Sequence, residues 1–288
     1  MLDEWLPLEG VREHLEELSE AAGLDLIRFG TEADADTIRD TAVAQPLIVA
    51  TGLMVGRLLG TELAAHRDLV FAGHSVGEIT ASALSGALSE ADAMAFVRVR
   101  ATAMAEAAAR TPTGMSAVLS PKEDAVRTAL EAAGLTPANA NGGGQIVAAG
   151  TLEQLEALAA DPPERARVIS LQVAGAFHTE HMAPALEPLR ELAPSLSPRE
   201  PRAALLSNAG GLAVADGRAN LESLIEQVCR PVRWDLCMAE LQRRGVDQLI
   251  ELPPAGTLVG LAKRALRGVP ALAVTSPGAA EEARGALA

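Results

Sequence analysis

Apolar and polar positions along the chain follow two different periods. Short apolar runs lie at residues 69–72, 203–207, 247–251 and 271–275, and a segment of helical period follows each of them. Runs of this length and composition are typical of buried strands. Because strands that alternate with helices pack as a parallel sheet covered on both faces, we predict an α/β fold with a mainly parallel sheet.

Further segments of helical period have no strand directly before them. We predict helices at residues 8–22, 34–39, 45–59, 90–109 and 181–192. His14 lies on the polar side of the first of these helices. We therefore predict that His14 is a surface residue.

The middle of the chain has a different order of elements. Strands are predicted at residues 115–119, 135–141, 145–149 and 167–173, with helices at 121–133 and 151–160. This βαββαβ order predicts an inserted ferredoxin-like subdomain at residues 112–174, within a large α/β domain made of residues 1–111 and 175–288. The glycines at 142–144 lie between two strands, so they indicate a hairpin turn rather than a phosphate-binding loop.

Composition and charge exclude several classes of function. The 288 residues carry a formal net charge of −14, whereas nucleic-acid binding needs a basic face. No apolar run reaches the roughly 20 residues that span a bilayer, and the N-terminus lacks the basic start of a secretory signal. Cys229 and Cys237 have neither metal-ligand nor redox-motif spacing. We predict a cytoplasmic protein with ordinary buried thiols and no metal.

The apolar run at residues 69–72 leads into Gly73-His74-Ser75-Val76-Gly77, and a helical pattern begins at Glu78. A strand, a sharp glycine-bounded turn and a helix are what a nucleophile elbow requires, because the strained turn projects a serine Oγ clear of the sheet. Ser75 is therefore a candidate nucleophile. A second interpretation stays open, in which the turn is structural and its serine caps the helix.

His178 is the candidate partner of this serine. It lies in the loop that leaves the predicted strand at 167–173, and catalytic groups collect in loops at strand ends. Its ordinary pKa lies near neutral pH, which suits a group that both takes and returns a proton.

Several motifs occur in one order along nearly the whole chain. They are GHSVGE at 73–78, Arg100, NANGGGQIVAAG at 139–150, GAFH at 175–178, PVRW at 231–234 and GLAKR at 260–264. Together they resemble the malonyl-CoA:acyl carrier protein transacylases of bacterial fatty acid synthesis and the acyltransferase domains of polyketide synthases. The resemblance implies an α/β-hydrolase-like large domain. It also implies malonyl-CoA as substrate, with no tightly bound cofactor.

The resemblance implies a role for each of five residues. Ser75 would take the malonyl group as an ester, and His178 would act as its base and acid. The backbone carbonyl of Gln227 would orient His178, with its side chain of little importance, and the Val76 N–H would face the oxyanion. Arg100 would hold the free malonyl carboxylate with two parallel hydrogen bonds.

Other positions match the substrate pocket of the family. Phe177 resembles the malonyl-selecting form of its motif, although Gly175 departs from the polyketide version. The remaining pocket candidates are Gln45, His74, Asn139 and Asn141. Helix capping explains Gln45 as well, and turn chemistry explains the asparagines about equally.

The implied partner is an acyl carrier protein bearing a phosphopantetheine thiol, and the implied state is a monomer. Because the carrier is acidic in this pathway, it would have to dock on local cations of an acidic chain. The candidates, which can equally be scattered solvated charges, are Arg230, Arg233, Lys263, Arg264 and Arg267.

The front of the chain departs from the family pattern. Family members begin with an apolar strand and a glycine-glutamine motif that supplies part of the oxyanion hole, and residues 1–5 resemble the segment just after it. We expect exposed sheet edges, and we hypothesise that Met1 is an internal methionine. Two alternatives follow: a serine esterase or thioesterase of the α/β-hydrolase type, or a catalytically impaired remnant that binds the carrier or CoA.

Overall fold

The structure is a computed structural model that describes residues 1–60 and 68–287. The predicted large domain also includes residues 61–67 and 288, which lie outside the described residues. The α-helices are α1 Val11–Ala22, α2 Leu26–Thr31, α3 Ala35–Arg39, α4 Thr41–Leu59, α5 Gly77–Leu84, α6 Glu90–Ala108, α7 Glu123–Ala132, α8 Leu152–Ala160, α9 Leu186–Leu192, α10 Gly217–Glu226, α11 Trp234–Arg243, α12 Thr257–Ala265 and α13 Pro277–Leu287.

The strands are β1 Val70–Phe71, β2 Thr113–Leu119, β3 Thr136–Gly142, β4 Gln145–Thr151, β5 Arg167–Ser170, β6 Ala204–Leu205, β7 Val232–Arg233, β8 Leu249–Glu251 and β9 Ala271–Ala273. Short 3₁₀ turns at Glu180–Ala185, Ala193–Ser195 and Gln227–Cys229 extend or separate helices. The predicted helix at 181–192 is therefore a 3₁₀ turn followed by α9. Pro184 lies inside that turn, where it cannot donate a backbone hydrogen bond.

The strands of the large domain pair in parallel, which confirms the predicted α/β class. β1 pairs with β6, and β8 pairs with β9. A cavity of about 1010 Å³ is lined by residues of β1, β6 and β8. Val70 and Phe71 are accordingly only partly buried. The two parallel pairs thus leave open space beside strands that helices and neighbouring strands normally cover in an α/β fold.

The larger sheet is mixed and has five strands in the order β5-β2-β4-β3-β7. β2 pairs antiparallel with both β4 and β5, and β3 with β4, while β3 and β7 run parallel. Gly142, Gly143 and Gly144 all have positive φ and form the predicted hairpin turn between β3 and β4. Because β7 was not predicted and joins this sheet from outside, the division of the chain at residues 112 and 174 stays a prediction.

Helix α4 begins four residues before its predicted start. The Asp40 side chain accepts a hydrogen bond from the Ala42 N–H and caps the helix there. Pro46 inside the helix has no N–H for the Ala42 carbonyl. Arg98 Nη1 donates to that carbonyl instead, at 3.4 Å, from helix α6. The Arg98 side chain therefore compensates for the N–H that Pro46 lacks.

By length and apolar composition, α4 also meets the criterion for a membrane span. At 19 residues it falls just short of the roughly 20 residues named in the sequence analysis. Within the fold, however, 72% of its 18-residue window is buried. The helix packs between other helices, so its apolar character is that of a core helix.

The prediction that His14 is a surface residue is wrong. His14 is 2% exposed, and its Nε2 lies 2.8 Å from Glu90 Oε2. The polar residue type suggested the surface, whereas the helical period places His14 on the same face as Val11, Leu15 and Leu18. The first turn of α6 packs against that face, and an acidic residue there accepts the imidazole N–H.

Candidate active site

Ser75 lies in the sharp turn between β1 and α5. Its φ of 53° is in the left-handed region, which non-glycine residues adopt at a cost. A Cβ atom on Gly73 would lie 2.0 Å from the backbone carbon of Gly77, so only glycine fits at 73. A Cβ atom on Gly77 would meet nothing within 4 Å. Of the two glycines that bound the turn, only Gly73 is therefore required for close packing.

His178 lies directly beside this serine. Its Nε2 is 2.7 Å from Ser75 Oγ, and its Nδ1 is 2.8 Å from the backbone oxygen of Gln227. Because a carbonyl oxygen can only accept, Nδ1 carries the hydrogen and Nε2 accepts from the serine hydroxyl. The imidazole is thus held in the tautomer that can take a proton from Ser75.

The surroundings of His178 keep it neutral. The residue is 2% exposed. Burial, together with the nearby positive charge of Arg100, lowers the pKa of His178 from 6.5 to about 3. A neutral imidazole at neutral pH is available as a base, and the imidazolium that it becomes would be strongly acidic and return its proton readily.

Arg100 brings a buried positive charge to the nucleophile. It is 1% exposed on α6, and burial lowers its pKa to about 10, so it stays protonated at neutral pH. Its Nη2 lies 3.3 Å from Ser75 Oγ and donates to Gln227 Oε1 at 3.0 Å. Its Nη1 donates to Gln45 Oε1. Its Nε is buried without a hydrogen-bond partner in the described residues.

Glu78, which the sequence analysis left without a role, lies beneath this group. It is 1% exposed in the first turn of α5. Its Oε2 accepts from Gln227 Nε2 at 2.7 Å and from the Asn208 backbone N–H at 3.0 Å. Burial raises the pKa of Glu78 to about 7, although these donors and Arg100 oppose the rise.

Asn208 is a further residue that sequence reasoning missed. Its Oδ1 accepts from the Ser75 backbone N–H at 2.7 Å, and its Nδ2 donates to the Gly73 carbonyl at 2.7 Å. The side chain thus bridges both sides of the strained turn. Asn208 follows β6, as Ser75 follows β1, and the two strands pair in parallel. Because the carboxyl ends of parallel strands lie at the same edge of a sheet, this position could have indicated that Asn208 lies near Ser75.

His74, a predicted pocket residue, directs its ring away from Ser75. Its Nε2 lies 2.8 Å from Asn141 Oδ1, and the Asn141 Nδ2 donates to Gln145 Oε1 at 2.9 Å. The His74 ring meets Trp234 edge to face, with centroids 5.7 Å apart. Burial lowers the pKa of His74 as well. This side of the elbow therefore contacts β3 and β4.

The other pocket candidates are not equally close to the nucleophile. Gln45 is buried and contacts Arg100 directly. Phe177 is partly buried and packs on two apolar clusters. Asn139 is buried in β3 opposite Val147, and its side chain makes no hydrogen bond to Ser75, His178 or Arg100. No group of three His, Cys, Asp or Glu residues within 1–60 and 68–287 could hold a metal ion.

The arrangement can perform acyl transfer. It offers a serine hydroxyl hydrogen-bonded to a neutral imidazole and a buried guanidinium within reach of the same oxygen. A family model described as an acyl transferase domain matches residues 9–282. The chain belongs to this acyl transferase domain family.

Relatives of this acyl transferase domain span most of its length. A curated malonyl CoA-acyl carrier protein transacylase from Mycobacterium tuberculosis (strain ATCC 25618 / H37Rv) is 51% identical over 283 residues, covering 98% of this chain and 94% of the relative. The protein of that name from Bacillus subtilis (strain 168) is 34% identical, covering 85% and 79%. The crystal structure of MCAT from Mycobacterium tuberculosis has a TM-score of 0.94 at 50% identity, covering 98% and 94%.

Two of the five predicted docking cations form ion pairs with carboxylates close to them in the chain. Arg230 lies 3.3 Å from Glu226, and Arg233 lies 2.8 Å from Asp235. Lys263 and Arg264 are exposed in the last turn of α12, and exposed Arg267 follows that helix. The charges of Arg230 and Arg233 are therefore partly neutralised by neighbouring carboxylates before any partner binds.

Proposed function

We propose that this chain moves a malonyl group from malonyl-CoA to the phosphopantetheine thiol of an acyl carrier protein, through an ester on Ser75. The relatives named above support the substrate and the acceptor. The observation that carries the proposal is the buried Arg100 guanidinium 3.3 Å from Ser75 Oγ. A cation there matches the free carboxylate that distinguishes malonyl from acetyl.

The first half-reaction follows from the contacts of His178. Its Nε2 takes the Ser75 proton while Oγ bonds to the thioester carbonyl carbon. The N-terminus of α5, where Val76 is the predicted donor, faces the negative charge that develops on the carbonyl oxygen. The carbon–sulfur bond then breaks, and Nε2 returns its proton to the departing CoA sulfur.

The second half-reaction is the same sequence in reverse. His178 takes the proton of the carrier thiol, whose sulfur attacks the ester carbonyl, and Ser75 Oγ leaves with the proton from Nε2. The His178 Nδ1–H donates to a neutral backbone carbonyl rather than to a carboxylate. A carbonyl stabilises imidazolium less than an anion does. We infer that the weaker base suffices for reactive thioesters and limits attack by water.

One assay tests the proposal. The protein is incubated with malonyl-CoA labelled in the malonyl group and with carrier protein, and the label is followed to carrier, to water or to unreacted CoA. We expect label on the carrier, passing through an ester on Ser75. Release as free malonate would support the thioesterase alternative, and no turnover would support the impaired remnant.

The Arg100→Ala variant sharpens the test of acyl selection. Loss of a paired charged hydrogen bond predicts a fall of about 10- to 100-fold in malonyl relative to acetyl transfer. An unchanged ratio would remove Arg100 from the proposal. The esterase alternative is not favoured, because it would place an acid on His178 Nδ1 and has no use for a buried arginine at the nucleophile.

The finer expectations remain proposals. They are the monomeric state, the cytoplasmic location, the absence of a tightly bound cofactor and docking on the cations around α12.

A further inference from the structure

Glu78 is the buried acidic group that the proposed reaction does not use. Its side chain lies under the elbow and contacts two neighbours through a single oxygen, Oε2. Oε1 is buried and has no partner in the described part of the chain. The position of one acceptor atom therefore accounts for both contacts.

That atom is the nearer of two acceptors that face the Gln227 amide nitrogen: Glu78 Oε2 lies 2.7 Å from Gln227 Nε2, and Asn208 Oδ1 lies 3.4 Å from it. An amide has one end that donates and one that accepts, while a carboxylate accepts and a guanidinium only donates. With Nε2 directed at Glu78, Oε1 must face Arg100, where it accepts from Nη2 at 3.0 Å. The reverse orientation would bring two donors together at Arg100.

The same amide side chain belongs to the residue whose backbone oxygen holds His178. Glu78 also accepts from the Asn208 N–H, and the Asn208 side chain binds the Ser75 N–H. We propose that Glu78 is a positioning residue that sets the Gln227 amide and, through it, holds Arg100 beside Ser75 for a malonyl carboxylate. This inference rests on the proposed function and adds a determinant of its acyl selectivity.

Two substitutions distinguish the effect of the length of the Glu78 side chain from the effect of its charge. Glu78→Gln keeps a carbonyl oxygen at the same distance from the backbone, and the Asn208 N–H requires that oxygen, rather than the amide nitrogen, to face it. Glu78→Asp keeps the negative charge and withdraws it by one methylene. Glu240→Asp is the matched control, because Glu240 is also buried on a helix and, among the described residues, forms ion pairs with Arg243 and Arg244 alone.

The measurement is single-turnover formation of the Ser75 ester from malonyl-CoA and from acetyl-CoA, with Ser75→Ala as background. We expect Glu78→Asp to lower the malonyl-to-acetyl ratio of kcat/KM about tenfold, mainly through KM, as for loss of a hydrogen bond to a charged group. Glu78→Gln should retain the ratio within about threefold. Glu240→Asp should match the wild type.

Other outcomes overturn the proposal. Equal falls in malonyl and acetyl acylation in Glu78→Asp would indicate a merely structural role. A ratio lost in Glu78→Gln but kept in Glu78→Asp would mean that charge acts directly on Arg100. If adding Glu78→Asp to Gln227→Leu lowered the malonyl-to-acetyl ratio further, Glu78 would not act through Gln227.

A crystal structure of Glu78→Asp gives a readout independent of activity. We expect the Gln227 amide to leave residue 78 and Arg100 Nη2 to lose its Oε1 partner. An unmoved Gln227 would overturn the positioning role even if the enzyme proved inactive. Absence of any Ser75 ester in the wild type would instead count against the proposed function, so the two failures are distinguishable.

Discussion

The two sides of Ser75 are built from similar groups and have different consequences. On the inner side, Gln227 and Asn208 come from the large domain and rest on the carboxylate of Glu78. On the outer side, His74 and Asn141 form a neutral chain that ends in β4. The Gln227 amide also accepts from Arg100, whose guanidinium lies 3.3 Å from Ser75 Oγ. The inner side therefore contains an acidic and a basic group, and the outer side does not.

The two sides of Ser75 differ most clearly in their histidines, His74 and His178. Both are close to Ser75 in the chain or in space, and burial lowers the pKa of each. The Nε2 of His178 meets the Ser75 hydroxyl, whereas the Nε2 of His74 meets an amide oxygen. Burial therefore does not identify the base. The base is identified by its hydrogen bonds: His178 Nε2 faces the Ser75 hydroxyl, and His178 Nδ1 donates to the Gln227 carbonyl.

The largest effect that separates the two sides should come from the histidines. Removing a general base typically costs about 100- to 10,000-fold in rate. We expect a loss of that size in Ser75 acylation by malonyl-CoA for His178→Asn, measured in a single turnover. His74→Asn keeps a polar group against Asn141, and it should cost far less. Comparable losses in both variants would abolish the distinction between the two sides.

The next effect concerns the stability of the elbow. Asn208→Ala leaves the Ser75 N–H and the Gly73 carbonyl without their buried partner, at about 1–3 kcal/mol for each unsatisfied group. We expect the free energy of unfolding in urea to fall accordingly. Asn139→Ala is the control, since that buried asparagine is not bonded to the elbow. An equal fall in the control would mean that Asn208 contributes packing alone.

The pH dependence of stability tests the inner side. Between pH 4.5 and 6.5 the unfolded chain protonates His178 while the folded protein, with a pKa of about 3, does not, so this histidine makes stability rise with pH. Glu78 has the opposite sign. Its folded pKa of about 7 lies above the ordinary 4.5, so its contribution is complete below 4.5 and is lost as pH rises through 7.

Within that window the slope from each group reaches at most about 1.4 kcal/mol per pH unit, with opposite signs. Relative to wild type, His178→Asn should therefore become less stable as pH rises, and Glu78→Gln more stable. Urea unfolding from pH 4.5 to 6.5 measures both slopes. Two variants that follow the wild-type curve would show that neither group has a shifted pKa.

The smallest effect is expected on the outer side. Asn141→Ala removes the partner of His74 but leaves Ser75, His178 and Arg100 in place. We expect malonyl acylation to change less than about threefold, with a loss of roughly 1 kcal/mol in stability for one hydrogen bond. A loss of acylation as large as that expected for His178→Asn would instead place Asn141 within the catalytic group.

Much of the fold followed from local pattern, and the errors have local causes. Periods of two and 3.6 residues located most strands and helices, because burial of one face dictates them. β7 was missed because Val232 lies between Pro231 and Arg233, so no apolar run marks the strand. His14 was misplaced because its polar residue type outweighed its period, which puts it on the apolar face of α1, where Glu90 of α6 bonds to its ring.

The site divides in the same way. Chain order alone indicated Ser75 in its turn and His178 after a strand, since a nucleophile elbow depends on neighbours in sequence. The role of the Gln227 side chain was not foreseen. The expectation that it matters little needs revision, because the side chain contacts both Arg100 and Glu78.

The sequence by itself determined the α/β class, the elbow and the residue types for acyl transfer, because each depends on local spacing and side-chain chemistry. Tertiary structure alone decided which polar atoms meet. Glu78 and Gln227 are 149 positions apart, and Asn208 and Ser75 are 133 apart. A buried amide has two distinct ends, so its orientation depends on partners that only the folded chain brings to it.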